Sequence, residues 1–196
     1  MDSLQNFQNN DTLHRGTPLS SENPKPNSDE ADPPPPVENP KKVAFQIWDD
    51  ADACPAAIKE IIYRCSKRLE IKTTLVANQS MRIPKSERIQ LIIVPHGADV
   101  ADKKIVESLR AGDLVVTGDI PLAAAVVEKG GIAIGTRGEL YDENNVRSRL
   151  ASRNLMEQFR AAGMETSGPK PMSSSDVQDF ANQLDRLLTK MLRKRK

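Results

Sequence analysis

Hydrophobic and polar positions along this chain switch between two periods, one suited to strands and one to helices. Val43-Ala44-Phe45-Gln46-Ile47-Trp48 reads as a first strand. Directly after it, Ile58, Ile61, Ile62, Cys65 and Leu69 recur at helical spacing, and Pro55 suits the first helical position. Thr73–Ala77 predicts a second strand. Leu91-Ile92-Ile93-Val94 is wholly apolar, the pattern of a strand buried on both faces. A second helix is predicted over Ala101–Ala111, stopped by Gly112. Leu114–Thr117 is a fourth strand, and Pro121 opens a third helix that ends at Gly130-Gly131. Ile132-Ala133-Ile134 is a fifth strand. Two further helical stretches cover roughly Glu143–Ala162 and Ser175–Leu192, separated by Gly168-Pro169-Lys170-Pro171. Strands alternating with helices predict an α/β fold, three-layer α/β/α with a mainly parallel sheet.

The periodic pattern starts only near Lys42. Residues 1–41 are rich in Asn, Ser, Pro and Asp and end near Asp32-Pro33-Pro34-Pro35-Pro36. Such a segment buries too little apolar surface to offset its ordering entropy, so it is expected to be a disordered N-terminal arm. Residues 42–192 are expected to form the domain, and 193–196 a basic tail. The apolar stripe Val177, Phe180, Leu184, Leu187, Leu188 and Met191 is most simply core packing, with a homodimer face as the second reading.

Charge narrows the function classes. The 196 residues hold 28 Lys and Arg against 27 Asp and Glu, a formal net charge of +1, so no global basic field draws in nucleic acid. Aromatic residues are only 4%, which argues against a broad base-stacking platform. On one helix Cys54 and Cys65 would stand roughly 16 Å apart along the axis. A disulfide needs Cα atoms within about 7 Å. Reduced thiols and a cytoplasmic location are expected, with no membrane span and no secretory signal.

The candidate chemistry is acidic. Asp49, Asp50 and Asp52 put three carboxylates into four residues directly after the first strand. Asp99 and Asp102 follow the third strand, and Asp119 follows the fourth in Thr117-Gly118-Asp119. All fall at the carboxyl ends of strands, where open α/β sheets bind their ligands. Hard cations such as Mg²⁺ or Mn²⁺ take oxygen ligands, so Asp50, Asp52, Asp99, Asp102 and Asp119 are candidate ligands. Asp102 and Asp119 could equally cap their helices. If the strand continues, period-two geometry puts Asp50 and Asp52 on one side and makes Asp49 the bystander. Cys54, near a helix start but with no partner histidine, reads as a packing or capping residue. His96 reads as incidental.

Several motifs together resemble one family. These are Ile47–Pro55, Gly97–Asp102, Gly112–Ala123, Arg137-Gly138-Glu139-Leu140-Tyr141 and Phe180–Asp185. In that order, over about Phe45–Leu188, they are similar to the YaiI/YqxD family of uncharacterised bacterial proteins. That family is grouped with PIN-like domains, which use clustered acids and Mg²⁺ or Mn²⁺ to cut RNA. The resemblance implies a PIN-like fold. It also implies that Asp50 is the acid after strand one, Asp99 or Asp102 the mid-chain acid, and Thr117 and Asp119 the Thr-x-Asp element after strand four. On the nuclease reading Asp50, Asp52, Asp99 and Asp119 are catalytic and, with Asp102, hold one or two ions. Thr117 would then orient a ligand carboxylate or bind phosphate. Arg82, Lys85, Arg88 and Arg137 are candidate contacts to an RNA backbone. Asp49 departs from the family, which usually has an apolar residue there, and is expected to add charge beside the site or lie exposed.

Two other readings stay open. Asp50-Ala51-Asp52 also resembles the Asp-x-Asp of haloacid dehalogenase-like phosphatases, but the later acids of that family have no counterpart after Ile134. The other is a non-catalytic module that holds RNA or a protein partner.

Overall fold

The structure, a computed structural model, describes residues 45–164 and 170–193. The expected arm over residues 1–41 lies outside the described residues, as does the basic tail apart from Arg193.

Among the described residues six strands form one sheet: β1 (Ile47–Asp50), β2 (Thr73–Ala77), β3 (Ile89–Ile93), β4 (Leu114–Val116), β5 (Ile132–Ile134) and β6 (Leu140–Tyr141). Five helices accompany them: α1 (Ala56–Leu69), α2 (Val100–Ser108), α3 (Ile120–Glu128), α4 (Val146–Ala161) and α5 (Ser174–Arg193). The strand order is β3-β2-β1-β4-β5-β6, parallel throughout except for β6. The expected three-layer α/β/α architecture is present.

Alternation along the strands divides the core in two. Ile47, Leu114, Val116 and Ile134 point to the side covered by α1 and α5, where Ile58, Ile62, Phe180, Leu184 and Leu188 are buried with them. Trp48, Val115 and Ala133 point to the side of α2 and α3, among Ile105, Leu122, Ala123 and Val126. The stripe on α5 is therefore core packing, as the first reading held.

Strand order reverses between β1 and β4, since one half of the sheet grows outward from each. Such a reversal opens a crevice at the carboxyl ends of the two central strands. Asp50 ends β1, and Thr117 directly follows β4. A clamp closes the opposite end. The buried Asp113 carboxylate accepts from the Gln46 amide at 3.0 Å, the Arg110 amide at 2.9 Å and the Trp48 indole at 3.1 Å. One side chain thus fixes β1 against β4.

The structure corrects four expectations. β1 spans Ile47–Asp50, so the first two acids lie inside the strand rather than after it. β3 is an edge strand, paired only with β2, and Ile93 is 56% exposed, so this apolar run is not buried on both faces. α2 stops at Ser108 because Leu109 turns to extended backbone (φ −69°, ψ 149°) and is buried there. The two-residue β6 was not anticipated; it folds back antiparallel on β5 through a turn with Gly138 at φ +90°.

The link from β2 to β3 carries no helix. Residues 78–88 cross as a loop whose Met81 and Ile83 pack on Ala51, Tyr63, Leu75 and Ile89. Two side chains do the covering that a crossover helix would otherwise do.

Candidate active site

Asp50 is the last residue of β1 and shares a sheet face with Trp48. It is 6% exposed. Thr117, fully buried, donates its hydroxyl hydrogen to Asp50 Oδ2 at 3.1 Å and accepts the Asp119 amide at 3.0 Å. One hydroxyl therefore ties the end of β1 to the turn after β4. Its burial makes Thr117 a residue that aims Asp50 rather than one that meets a ligand.

Asp119 is the N-cap of α3, and its Oδ1 accepts the Leu122 amide at 2.8 Å. The expected capping role is therefore present, with Pro121 in the first turn behind it. Oδ2 accepts no hydrogen bond among the described residues, so one oxygen remains for a ligand.

Asp102 sits in the first turn of α2 but makes no capping bond; the N-cap position belongs to Asp99, in left-handed backbone at φ +57°. Burial raises the Asp102 pKa to about 6, helped by Asp50, Asp119 and Asp99. Asp50 is also pushed up by burial, with Asp119 and Asp52 adding repulsion and the Thr117 hydrogen bond opposing it. Carboxylates that raise one another's pKa share a field, so the acids from β1, α2 and α3 meet at one edge.

Asp52 is exposed in the turn after β1. The strand does not continue to it, so period two does not place it beside Asp50. Instead its Oδ2 accepts the Asn78 amide at 2.6 Å, closing the end of β1 against the loop after β2. Its charge still reaches Asp50. Asp99 is exposed on the rim.

Asp49 departs most from expectation. It faces the α1 side, as the alternation required, but it is fully buried rather than exposed. Neither oxygen has a hydrogen-bond partner among the described residues. Burial raises its pKa to about 7, with the Cys54 thiol and the Lys59 ammonium offsetting only part of the cost. Cys54 is itself buried, and burial together with Asp49 holds its thiol far above the usual range. It is a neutral packing group.

Of the expected phosphate contacts, Arg82 and Lys85 are exposed in the loop between β2 and β3. Arg88 reaches Glu70 at 3.9 Å. Arg137 is occupied: its guanidinium pairs with Asp176 and donates to the Lys170 carbonyl, tying the β5–β6 turn to the start of α5. That tie is a structural role and leaves Arg137 poorly placed to serve substrate. Tyr141 was missed. It is buried on β6, and burial raises its pKa, with Glu139 and Asp119 adding to the shift and Arg149 opposing it. The signal lay in Arg137–Tyr141, of which sequence reasoning singled out only the arginine.

The donor set is all oxygen, which suits Mg²⁺ or Mn²⁺ and not a soft metal. Among the described residues no three acidic, histidine or cysteine side chains stand close enough to enclose an ion by themselves. Mg²⁺ does not require that, because it keeps several waters and commonly takes one or two direct carboxylates. The residues fit such an ion in chemistry and charge.

Comparison with known proteins finds one family. The sequence model of the family described as uncharacterised, YaiI/YqxD, matches residues 48–190. A UPF0178 protein of Dechloromonas aromatica is 58% identical over 147 residues, covering 75% of this chain and 98% of the relative. One from Shewanella piezotolerans is 54% identical over 152 residues, covering 78% and 100% respectively. No solved structure matches.

Proposed function

We propose, for a chain that belongs to the uncharacterised YaiI/YqxD family, that it is a divalent-cation-dependent ribonuclease working at the acidic edge between β1 and β4. The observation that carries this reading is the hydroxyl link from Asp50 through Thr117 to the Asp119 amide, at the point where strand order reverses. Such a link costs a buried hydroxyl its freedom and holds a buried carboxylate in one orientation. That is how a second layer of residues fixes a metal ligand.

When bound, Mg²⁺ or Mn²⁺ would acidify a water and neutralise charge on the scissile phosphate. Asp50, at the end of β1, and Asp119, the N-cap of α3 after β4, would hold the ion. Asp102, with its pKa near 6, sits where a proton can be taken up or released close to neutral pH. Asp52 and Asp99, on the rim, would hold outer waters. Arg82 and Lys85 would meet the RNA backbone before it enters the edge.

Calorimetric titration with Mn²⁺, paired with an RNA cleavage assay, tests the reading on the wild type, Asp50→Asn, Asp119→Asn and Thr117→Val. Wild type should bind the ion and cleave, and both asparagine variants should lose cleavage. Thr117→Val should lower cation affinity or activity by about 10- to 100-fold, the usual effect of removing a ligand's orienting partner. No cation binding by the wild type would sink the proposal. Binding without cleavage would favour a second reading, a non-catalytic RNA-binding module.

A further inference from the structure

α4 is unlike every other helix in this fold. Of its 16 residues only Val146 is buried. It packs on α3, and in its later half Leu155 is 49% and Met156 41% exposed. It carries Arg147, Arg149, Arg153 and Arg160 against the single acid Glu157, a net +3 on a chain whose total is only +1. Arg149, Arg153 and Arg160 follow one another at spacings of four and seven. At 3.6 residues per turn they form a single stripe about 16 Å long. All the basic residues are arginine, the side chain whose planar fork matches phosphate oxygens. Arg153 is held by Glu157 at 3.0 Å, an exposed pair that a stronger anion can displace at little cost.

The stripe and the acidic edge share one neighbour. α4 follows β6 directly, and the Tyr141 phenol lies within electrostatic reach of both Arg149 and Asp119. An RNA strand running from the acids past Tyr141 would meet the start of this stripe.

We infer that α4 is an RNA-holding arm, on which Arg149, Arg153 and Arg160 grip the phosphates of a strand leading away from the acidic edge. The inference rests on the ribonuclease reading for the identity of the anion. The surface itself stands on the arginine stripe, its exposure and its position.

Fluorescence anisotropy of a labelled single-stranded uridine oligonucleotide, on the full chain in EDTA, isolates the arm from the cation site. The triple variant Arg149→Gln/Arg153→Gln/Arg160→Gln keeps good helix formers and should bind about tenfold more weakly at low salt. Its salt dependence should flatten by about 2 in log–log slope, since each phosphate contact on a single strand contributes about 0.7. Circular dichroism and the thermal midpoint should match the wild type, because none of the three side chains is buried. If the proteins bind RNA in this pattern but none cleaves, the arm stands and the ribonuclease reading fails. Equal affinity and equal salt slope in the triple variant overturn the arm. So does a wild-type dimer in sedimentation that Leu155→Gln/Met156→Gln dissolves, since α4 would then be a contact between copies.

Discussion

Asp49 shows what one carboxylate can cost a small fold. It is buried, unpartnered and raised to a pKa of about 7, where an ordinary aspartate titrates near 3.8. A group whose folded pKa lies above its unfolded one binds protons more tightly in the folded state. Its contribution to stability is complete below pH 4 and is lost as pH rises through about 7. At alkaline pH the cost approaches about 4 kcal/mol, taking 1.36 kcal/mol for each pH unit between the two values. Asp50 and Asp102 push in the same direction. Urea unfolding should therefore show stability falling between pH 5 and pH 8. Asp49→Asn should be more stable than wild type at pH 8, with a shallower pH slope. A variant less stable at pH 8 would contradict this. The sequence placed Asp49 on the far side of the strand from Asp50, which the structure bears out. It did not reveal that this far side is core. Alternation says which residues share a face, but burial depends on α1 and α5 arriving from elsewhere in the chain.

Whole elements were easiest to read where local chemistry punctuates them. Ile132–Ile134, bounded by Gly130-Gly131 and Gly135, was read to the residue, and the start of α3 was marked by Asp119 and Pro121. The reading failed where distant contacts decide. β3 looked like a central strand because its residues are apolar, yet it is an edge. β6 is two residues long and exists only because β5 offers it a partner. The turn leading to β6 explains its own motif. Gly138 has φ +90°, and a Cβ there would stand 3.0 Å from the backbone of Asp179. Glycine both adopts the left-handed backbone and permits α5 to approach. Arg137 beside it binds Asp176, so the segment reads as a dock for α5 before it reads as a substrate contact. Gly138→Ala should lower stability by about 2–4 kcal/mol, combining backbone strain with the clash. Thermal or urea unfolding checks it. A loss under about 0.5 kcal/mol, the range of an ordinary surface change, would refute the docking account.

Over the whole molecule, two different devices meet at one edge. The reversal of strand order opens it, and the Asp113 clamp at the far end of β1 and β4 keeps those strands in register. The acids crowd there at a cost that a proton relieves, and on the proposed reading a cation would relieve it too. Protons and cations should therefore compete. Mn²⁺ should raise the thermal midpoint more at pH 7.5 than at pH 5.5, because Asp102 takes up a proton near pH 6. Asp50→Asn should abolish most of the gain. An equal gain at both pH values in the wild type would place the ion elsewhere. The described residues contain no helix long and apolar enough to cross a membrane. The gathering of Asp50, Asp102 and Asp119 was legible because parallel topology sends every strand's carboxyl end the same way. The Thr117 link was only half legible: the Thr-x-Asp spacing was visible, but its reach to Asp50 depends on β4 lying beside β1.

Asp119 is divided between two tasks: one oxygen accepts the Leu122 amide, and its charge acts on Asp50 and Asp102. A single proton on the backbone therefore listens to the site. If an ion pulls on that carboxylate, the shared charge weakens the hold on the amide or fixes it more firmly, and either change alters how fast the Leu122 hydrogen trades with solvent deuterium. Diamagnetic Mg²⁺ should shift that exchange rate in the wild type and leave it unmoved in Asp50→Asn. The first turn of α3 would then serve as a built-in gauge of occupancy, readable without substrate and without turnover.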